Sequence, residues 1–388
     1  MSYRANTADS LVVWHEFDGK GDTSIQVLEG LCRSFSSRTG VSVIPEVMNI
    51  TDLVARLRRV GSSGAGPHMA LTPADMAGYA QEALYSEIPE AFWASAEGLD
   101  PKIRSAMQVG GVQYGIPVLT GNHLVLYYNQ SIYDEAPSSW EVIDKLGGPL
   151  LERGIVPVGA DLRDPYYFIP FLTAMGGWPL KDGSPDLGSS EMEEALRFTR
   201  LQCERGLLAS LDGPTSLLDR FIEGEVGAII CGEWIFNYLD QNMGERLGVG
   251  ALPSILGKPS LSMTSAIGLV FPNHTLESEQ RDHLLSFAAY LVGEEGQREW
   301  AERVQRIPVH SGVLSEVKAS SSPARAKLIE QLANTRSMPI EPVMLTVWNA
   351  MKDGLSRLRE EEPKRLLHTM EEFLLTQSEE RLVNGNTK

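Results

Sequence analysis

Three carboxylates in loop-like stretches, Glu16, Asp75 and Asp164, have the side-chain type that covalent chemistry uses. Around a glycosidic bond one such group would serve as acid and another as nucleophile, and that pairing needs a set separation and unequal pKa values. A linear sequence fixes neither. Other catalytic signatures are missing: there is no Gly-x-Ser-x-Gly elbow, no Walker loop and no His-Glu-x-x-His. Gly61-Ser62-Ser63-Gly64-Ala65-Gly66 is glycine-rich but lacks a Lys-Ser/Thr ending, so it reads as a flexible turn. The histidines His15, His68, His123, His274, His283, His310 and His368 are scattered without ligand spacing, so no metal site is expected. Holding a molecule without altering it fits the block 105–130, SAMQVGGVQYGIPVLTGNHLVLYYNQ, better. Two apolar, strand-like runs flank one polar break, Thr120-Gly121-Asn122-His123, where something small is expected to be held.

A chain of 388 residues is too long for one comfortable core, and two lobes are expected. With 43% hydrophobic and 22% charged residues it reads as globular. The net charge of −17 argues against a nucleic-acid partner, because phosphate binding needs a basic face. The short basic run Arg56-Leu57-Arg58-Arg59 reads as a solvated helix face. No run approaches the roughly 18 apolar residues of a spanning helix. The three cysteines, Cys32, Cys203 and Cys231, are odd in number and widely spaced, which argues against a disulfide framework or a zinc knuckle. Cys32 and Cys231 lie in apolar patterns and are expected to be buried. The start, MSYRANTADS, lacks the parts of a secretory leader. The expectation is a periplasmic or otherwise extracytoplasmic protein whose leader is absent from this chain, with a cytoplasmic location as the alternative.

The elements that must position these residues begin with Leu11-Val12-Val13-Trp14, a short buried-strand candidate. A helix is predicted from about Asp22 to Ser37, with Thr23-x-x-Gln26 as a capping box and Gly40 near its end. Its residues Ile25, Leu28, Cys32 and Phe35 recur at three- and four-residue steps and form one face. Val41–Ile44 reads as a strand, Thr51–Arg59 as a helix and Met69–Leu71 as a strand. Strands separated by helices of this size predict a mostly parallel sheet with right-handed crossovers. Ligands of such sheets sit beyond the carboxyl ends of the strands. That places His15, Glu16, Phe17 and Asp18 at one mouth and Thr72–Asp75 at another, although Asp18-Gly19-Lys20-Gly21 is also plain turn chemistry. A second α/β unit is predicted over 124–264, from the strand Leu124–Tyr128 through helices near Tyr167–Met175 and Ser190–Arg205 to the strand Ala228–Ile230. Ile267–Phe271 reads as a strand returning to the first sheet. The tail after about 314 is mostly helical, with Leu366, Met370, Phe373 and Leu374 on one face.

Four segments carry a family resemblance: Gly78–Leu84; Tyr114–Pro117 with Tyr127–Gln130; Phe221–Ala228 followed by Gly232-Glu233-Trp234; and Met344–Lys352. In this order and spacing, over nearly the whole chain, it resembles the maltose-binding-protein-like family of extracellular solute-binding proteins that feed ABC importers. The resemblance implies an α/β, two-lobed periplasmic-binding-protein-like fold (type II), each lobe a mostly parallel sheet flanked by helices, with several hinge crossings. Residues 1–122 plus 265–313 would form the N-terminal lobe, and 123–264 plus 314–388 the C-terminal lobe, with the ligand cleft between them. Asp75 matches a sugar-binding carboxylate of the first lobe, and Asp164 and Tyr166 match the acid and aromatic of the second. Trp234 and Trp348 match the two stacking tryptophans, and Lys352 falls where maltose binders carry an arginine. Thr72, Met76 and Asn122 replace an aromatic, a basic residue and a glutamate, so a mono- or disaccharide or a glycoside is expected rather than a long maltodextrin.

Physical chemistry agrees with that assignment. A pyranose has apolar C–H faces, which suit the rings of Trp234, Trp348 and Tyr166. Its hydroxyl edges suit Glu16, Asp75, Asn122 and Asp164, because charged acceptors make stronger hydrogen bonds. The expected partners are a carbohydrate and, for a transport receptor, an ABC permease in the membrane. The protein is expected to act as a monomer, without a cofactor and not as an enzyme. Two alternatives keep the site and change the job: a cytoplasmic carbohydrate sensor or accessory protein of the same fold, or a glycoside-processing enzyme. A binder of polyamines or other cations also fits an acidic cleft.

Overall fold

The structure is a computed structural model that describes residues 10–17, 21–210 and 213–385. Asp18 and the first nine residues lie outside the described residues. The chain divides into two compact units. One takes the residues through Asn122 with Trp234–Tyr238 and Thr264–Ser322; the other takes His123–Glu233, Leu239–Met263 and the residues from Pro323 onward.

In the first unit, strand order across the sheet is Ile307–Pro308, Gly115–Gly121, Ser262–Val270, Met69–Pro73, Ser10–His15, Ser42–Val47. The last three run parallel, with Val13 opposite Met69 and Val12 opposite Ile44. Ser262–Val270 is antiparallel to Met69–Pro73 and to Gly115–Gly121, and Ile307–Pro308 is antiparallel to Gly115–Gly121. The sheet is therefore mixed, which corrects the expectation of a mostly parallel one. A helix between consecutive strands dictates a parallel return, as it does for the three N-terminal strands. Ser262–Val270 arrives from the other unit, so no crossover helix sets its direction. The core packs Leu11, Val13, Leu71, Ile116, Val118 and Leu269 against Val27, Leu28, Leu31 and Phe35 of the helix Ser24–Thr39. Cys32 is buried in the same face.

In the second unit, strand order is Leu208–Ser210, Val156–Ala160, Val226–Gly232, Leu124–Asn129, Leu247–Gly250. The first two pairings are parallel and the last two antiparallel, so this sheet is mixed as well. Val226–Gly232 is buried at every position, as a central strand covered on both faces must be. Helices begin where a hydroxyl satisfies a free N–H: Ser139 accepts from Val142 before Trp140–Glu152, and Ser189 from Met192 before Ser190–Glu204. Helix Met344–Ser356 packs closely on Pro363–Gly385 through Gly354, where a Cβ would come within 2.2 Å of Met370 Cε.

Several local expectations change. The helix after the first strand is Ser24–Thr39, and its capping box does not form: Thr23 makes no side-chain cap bond, and Asp22 Oδ1 accepts from Ser24 N at 2.9 Å instead. Gly40 does end that helix in the left-handed region, at φ 77°. Thr51–Arg59 becomes Ile50–Leu57, capped by Asn49. The glycine-rich 61–66 stretch carries the end of a short helix, Val60–Ser63, closed by Gly64 at φ 64°. The segment after the third strand is a 3-10 helix, Ala74–Tyr79.

Candidate functional site

In the first unit, Glu16 follows the strand Ser10–His15, and Asp75 lies in the 3-10 turn that follows Met69–Pro73. Those strands are parallel neighbours, so the two carboxylates occupy adjoining positions on one sheet edge. Asn122 follows Gly115–Gly121. That strand and Met69–Pro73 are both antiparallel to the intervening Ser262–Val270, so its end emerges on the same edge. Asn122 adopts φ 44°, a left-handed conformation that asparagine tolerates better than most residues. Glu16, Asp75 and Asn122 are each half-buried.

Residues beside Glu16 and Asp75 are buried. His15 is 1% exposed, its Nδ1 accepts from Phe17 N at 3.3 Å, and burial pulls its pKa down to about 4. Tyr79 and Tyr85 are pushed up, first by burial and then by the Asp75 carboxylate. Thr72 and Met76, where the resemblance puts ligand contacts, are buried. The Thr72 hydroxyl has no hydrogen-bond partner among the described residues.

Trp234 also goes with the first unit, on a 3-10 turn, Glu233–Ile235, that leads into the helix Phe236–Met243. The tryptophan is half-buried, while Ile235 and Phe236 beside it are 2% and 0% exposed.

In the second unit four candidates come together. Asp164 and Tyr166 lie just beyond the carboxyl end of Val156–Ala160. Asp164 Oδ1 accepts from Tyr166 N at 2.9 Å, which starts the 3-10 helix Pro165–Phe168. Tyr166 O–H donates to the Met263 carbonyl at 3.2 Å, which fixes the ring. The Tyr166 and Trp348 rings are tilted at 58° with centroids 6.3 Å apart. Trp348 sits on Met344–Ser356, and Lys352 follows it by four residues, on the same face of that helix. Asp164 is exposed as a residue, and desolvation of its carboxyl raises its pKa. The Tyr166 N–H and the Lys352 ammonium oppose that rise, and Asp161 adds to it. Two rings, a carboxylate and an ammonium on one patch can stack on a flat apolar face and hydrogen-bond its polar rim.

Sequence reasoning missed the buried polar groups next to these residues. His123, read as part of a ligand-holding break, is 0% exposed, and its Nε2 lies 3.0 Å from the Leu328 carbonyl. A carbonyl only accepts, so Nε2 carries the proton. Glu233 is 1% exposed, its N–H donates to the His123 carbonyl at 2.9 Å, and its charge acts on Arg325. Burial holds the Arg325 guanidinium below its usual pKa, with Glu233 and Asp240 opposing. The Gly232-Glu233-Trp234 run was the available signal, but nothing in it names Arg325, more than ninety residues on.

Comparison with known proteins gives this arrangement a context. The family described as bacterial extracellular solute-binding protein matches residues 30–327. The chain belongs to that family. It is also similar to the maltodextrin-binding protein MdxE of Bacillus subtilis (strain 168), with 21% identity over 345 residues covering 84% of this chain and 81% of the relative. Among the described residues, no helix is long and apolar enough to cross a membrane.

Proposed function

We propose that this chain is the carbohydrate receptor of an ABC importer and binds a mono- or disaccharide or a glycoside without altering it. In this reading the two compact units are the lobes of a type II fold. The chain crossings between them act as a hinge, and a ligand favours the closed state because that state binds it more tightly. The observation that carries the proposal is the Tyr166–Trp348 ring pair, with Asp164 and Lys352 on the same patch. Rings for sugar faces and a charged acceptor for hydroxyls are the chemistry a saccharide requires. Glu16, Asp75, Asn122 and Trp234 supply the same chemistry from the first lobe. Family membership and the similarity to a maltodextrin-binding protein support a sugar as the solute and a membrane permease as the partner. The burial of Thr72 and Met76 supports a smaller ligand than a maltodextrin, since two contacts of maltose binders are lost to the core. A thermal-shift screen against a saccharide library tests the reading, because a ligand that binds only the native state raises the melting temperature. A permease role predicts that deleting the gene abolishes uptake of the same sugar.

A further inference from the structure

Asn237 stands three residues after Trp234 and is 4% exposed. On a helical turn residues three apart share a face, so whatever holds Asn237 also holds the direction in which Trp234 points. Both ends of its amide are engaged. Nδ2 donates to Thr23 Oγ1 at 3.0 Å, and Oδ1 accepts from Gln305 Nε2 at 3.2 Å. Thr23, Gln305 and the 234–238 segment all belong to the first unit. The two partners are themselves fixed. Thr23 lies between Asp22 and Ser24, which bond to each other, and Ser24 Oγ accepts from the buried Arg306 at 3.1 Å. Gln305 holds a left-handed φ of 56°, a conformation costly for a residue with a Cβ, and Arg306 follows it directly.

We propose that Asn237 is a positioning residue for Trp234. Ile235 and Phe236 anchor the same segment, but apolar burial is non-directional and sets depth rather than rotation. Two hydrogen bonds to side chains on different stretches of the chain, Thr23 and Gln305, fix rotation. Thr23 does not cap its helix: its backbone, at φ −86° and ψ 2°, is not the extended one of a capping residue, and its hydroxyl accepts from Asn237 instead. The consequence for saccharide affinity rests on the proposed ligand role of Trp234, whereas the positioning itself does not.

Fluorine NMR of the full chain labelled with 5-fluorotryptophan and free of ligand reads this directly, with Trp234→Phe assigning one of the seven indole signals. Asn237→Ala should move and broaden the Trp234 signal more than any other. Thr23→Val should move it in the same sense, and Thr23→Ser, which keeps the hydroxyl, should restore it. Thr23→Val removes a single hydroxyl and carries the test if Asn237→Ala does not fold. An unmoved Trp234 signal in folded Asn237→Ala or Thr23→Val protein overturns the proposal. Because no ligand is present, that result is independent of whether a saccharide binds; loss of saccharide binding in Trp234→Ala addresses that question separately.

Discussion

The Tyr166 ring is held from two sides, by its own hydroxyl on the Met263 carbonyl and by the Trp348 ring at a centroid distance of 6.3 Å. The pair is thus ordered before any ligand arrives, and pre-ordered rings lose little entropy on binding. Trp348→Ala should weaken saccharide binding by about 1–3 kcal/mol, and Trp234→Ala by a similar amount. Isothermal titration calorimetry of both variants checks this. Tyr166→Phe, which removes the bond to Met263, should cost about 1 kcal/mol of stability in a urea melt.

In the proposed reading Asp164 sets how binding responds to acid. Desolvation of its carboxyl raises its pKa, so it gains a proton at a higher pH than an ordinary carboxylate. A protonated carboxyl is a weaker acceptor, so affinity should fall as pH drops through that raised value. Asp164→Asn keeps an oxygen for the Tyr166 N–H but carries no charge. The variant should bind more weakly near neutral pH, by about 1–3 kcal/mol, and its affinity should depend less on pH than that of the unaltered chain. Titrations at several pH values read both effects.

His15 sets an acid limit on the fold itself. Its pKa falls from 6.5 to about 4 on folding, so between those values the unfolded chain binds the proton that the folded chain refuses. The stabilisation is complete above pH 6.5 and is lost as pH falls toward 4. The difference corresponds to about 3 kcal/mol. His68, whose Nδ1 accepts from Val12 N at 2.9 Å, is lowered by burial and adds in the same direction. His15→Asn retains an acceptor for Phe17 N, so its stability in denaturant melts should depend less steeply on pH in this window.

Glu233 is buried and its charge acts on the half-buried Arg325 guanidinium, so the two should be energetically coupled. Glu233→Gln should cost about 1–3 kcal/mol of stability. Adding Arg325→Met should recover part of that loss, which a double-mutant cycle in urea would show as a favourable coupling.

Periodicity made the helices and the N-terminal strands legible, because one apolar face repeats whether or not the rest of the chain is known. The Ser24–Thr39 helix and its glycine terminus illustrate this. Strand direction was not legible for Ser262–Val270, since no neighbouring helix dictates it. Thr23 shows a limit of local reading: its spacing to Gln26 signals a cap, but its backbone is not extended and its hydroxyl accepts from a side chain more than two hundred residues away. The Asp164, Tyr166, Trp348 and Lys352 group rested on the family resemblance, and the chain alone gives no distance between residues so far apart. Thr72, Met76 and His123 are buried, and burial at single positions is a tertiary property.

The most direct measurement is calorimetric titration of the full chain with each saccharide that raises its melting temperature in the library screen, repeated with Trp348→Ala. One-to-one binding of at least one mono- or disaccharide or glycoside, weakened about fivefold or more by loss of the indole, is the predicted result. If no saccharide binds, or if binding is the same with and without Trp348, the receptor assignment is contradicted.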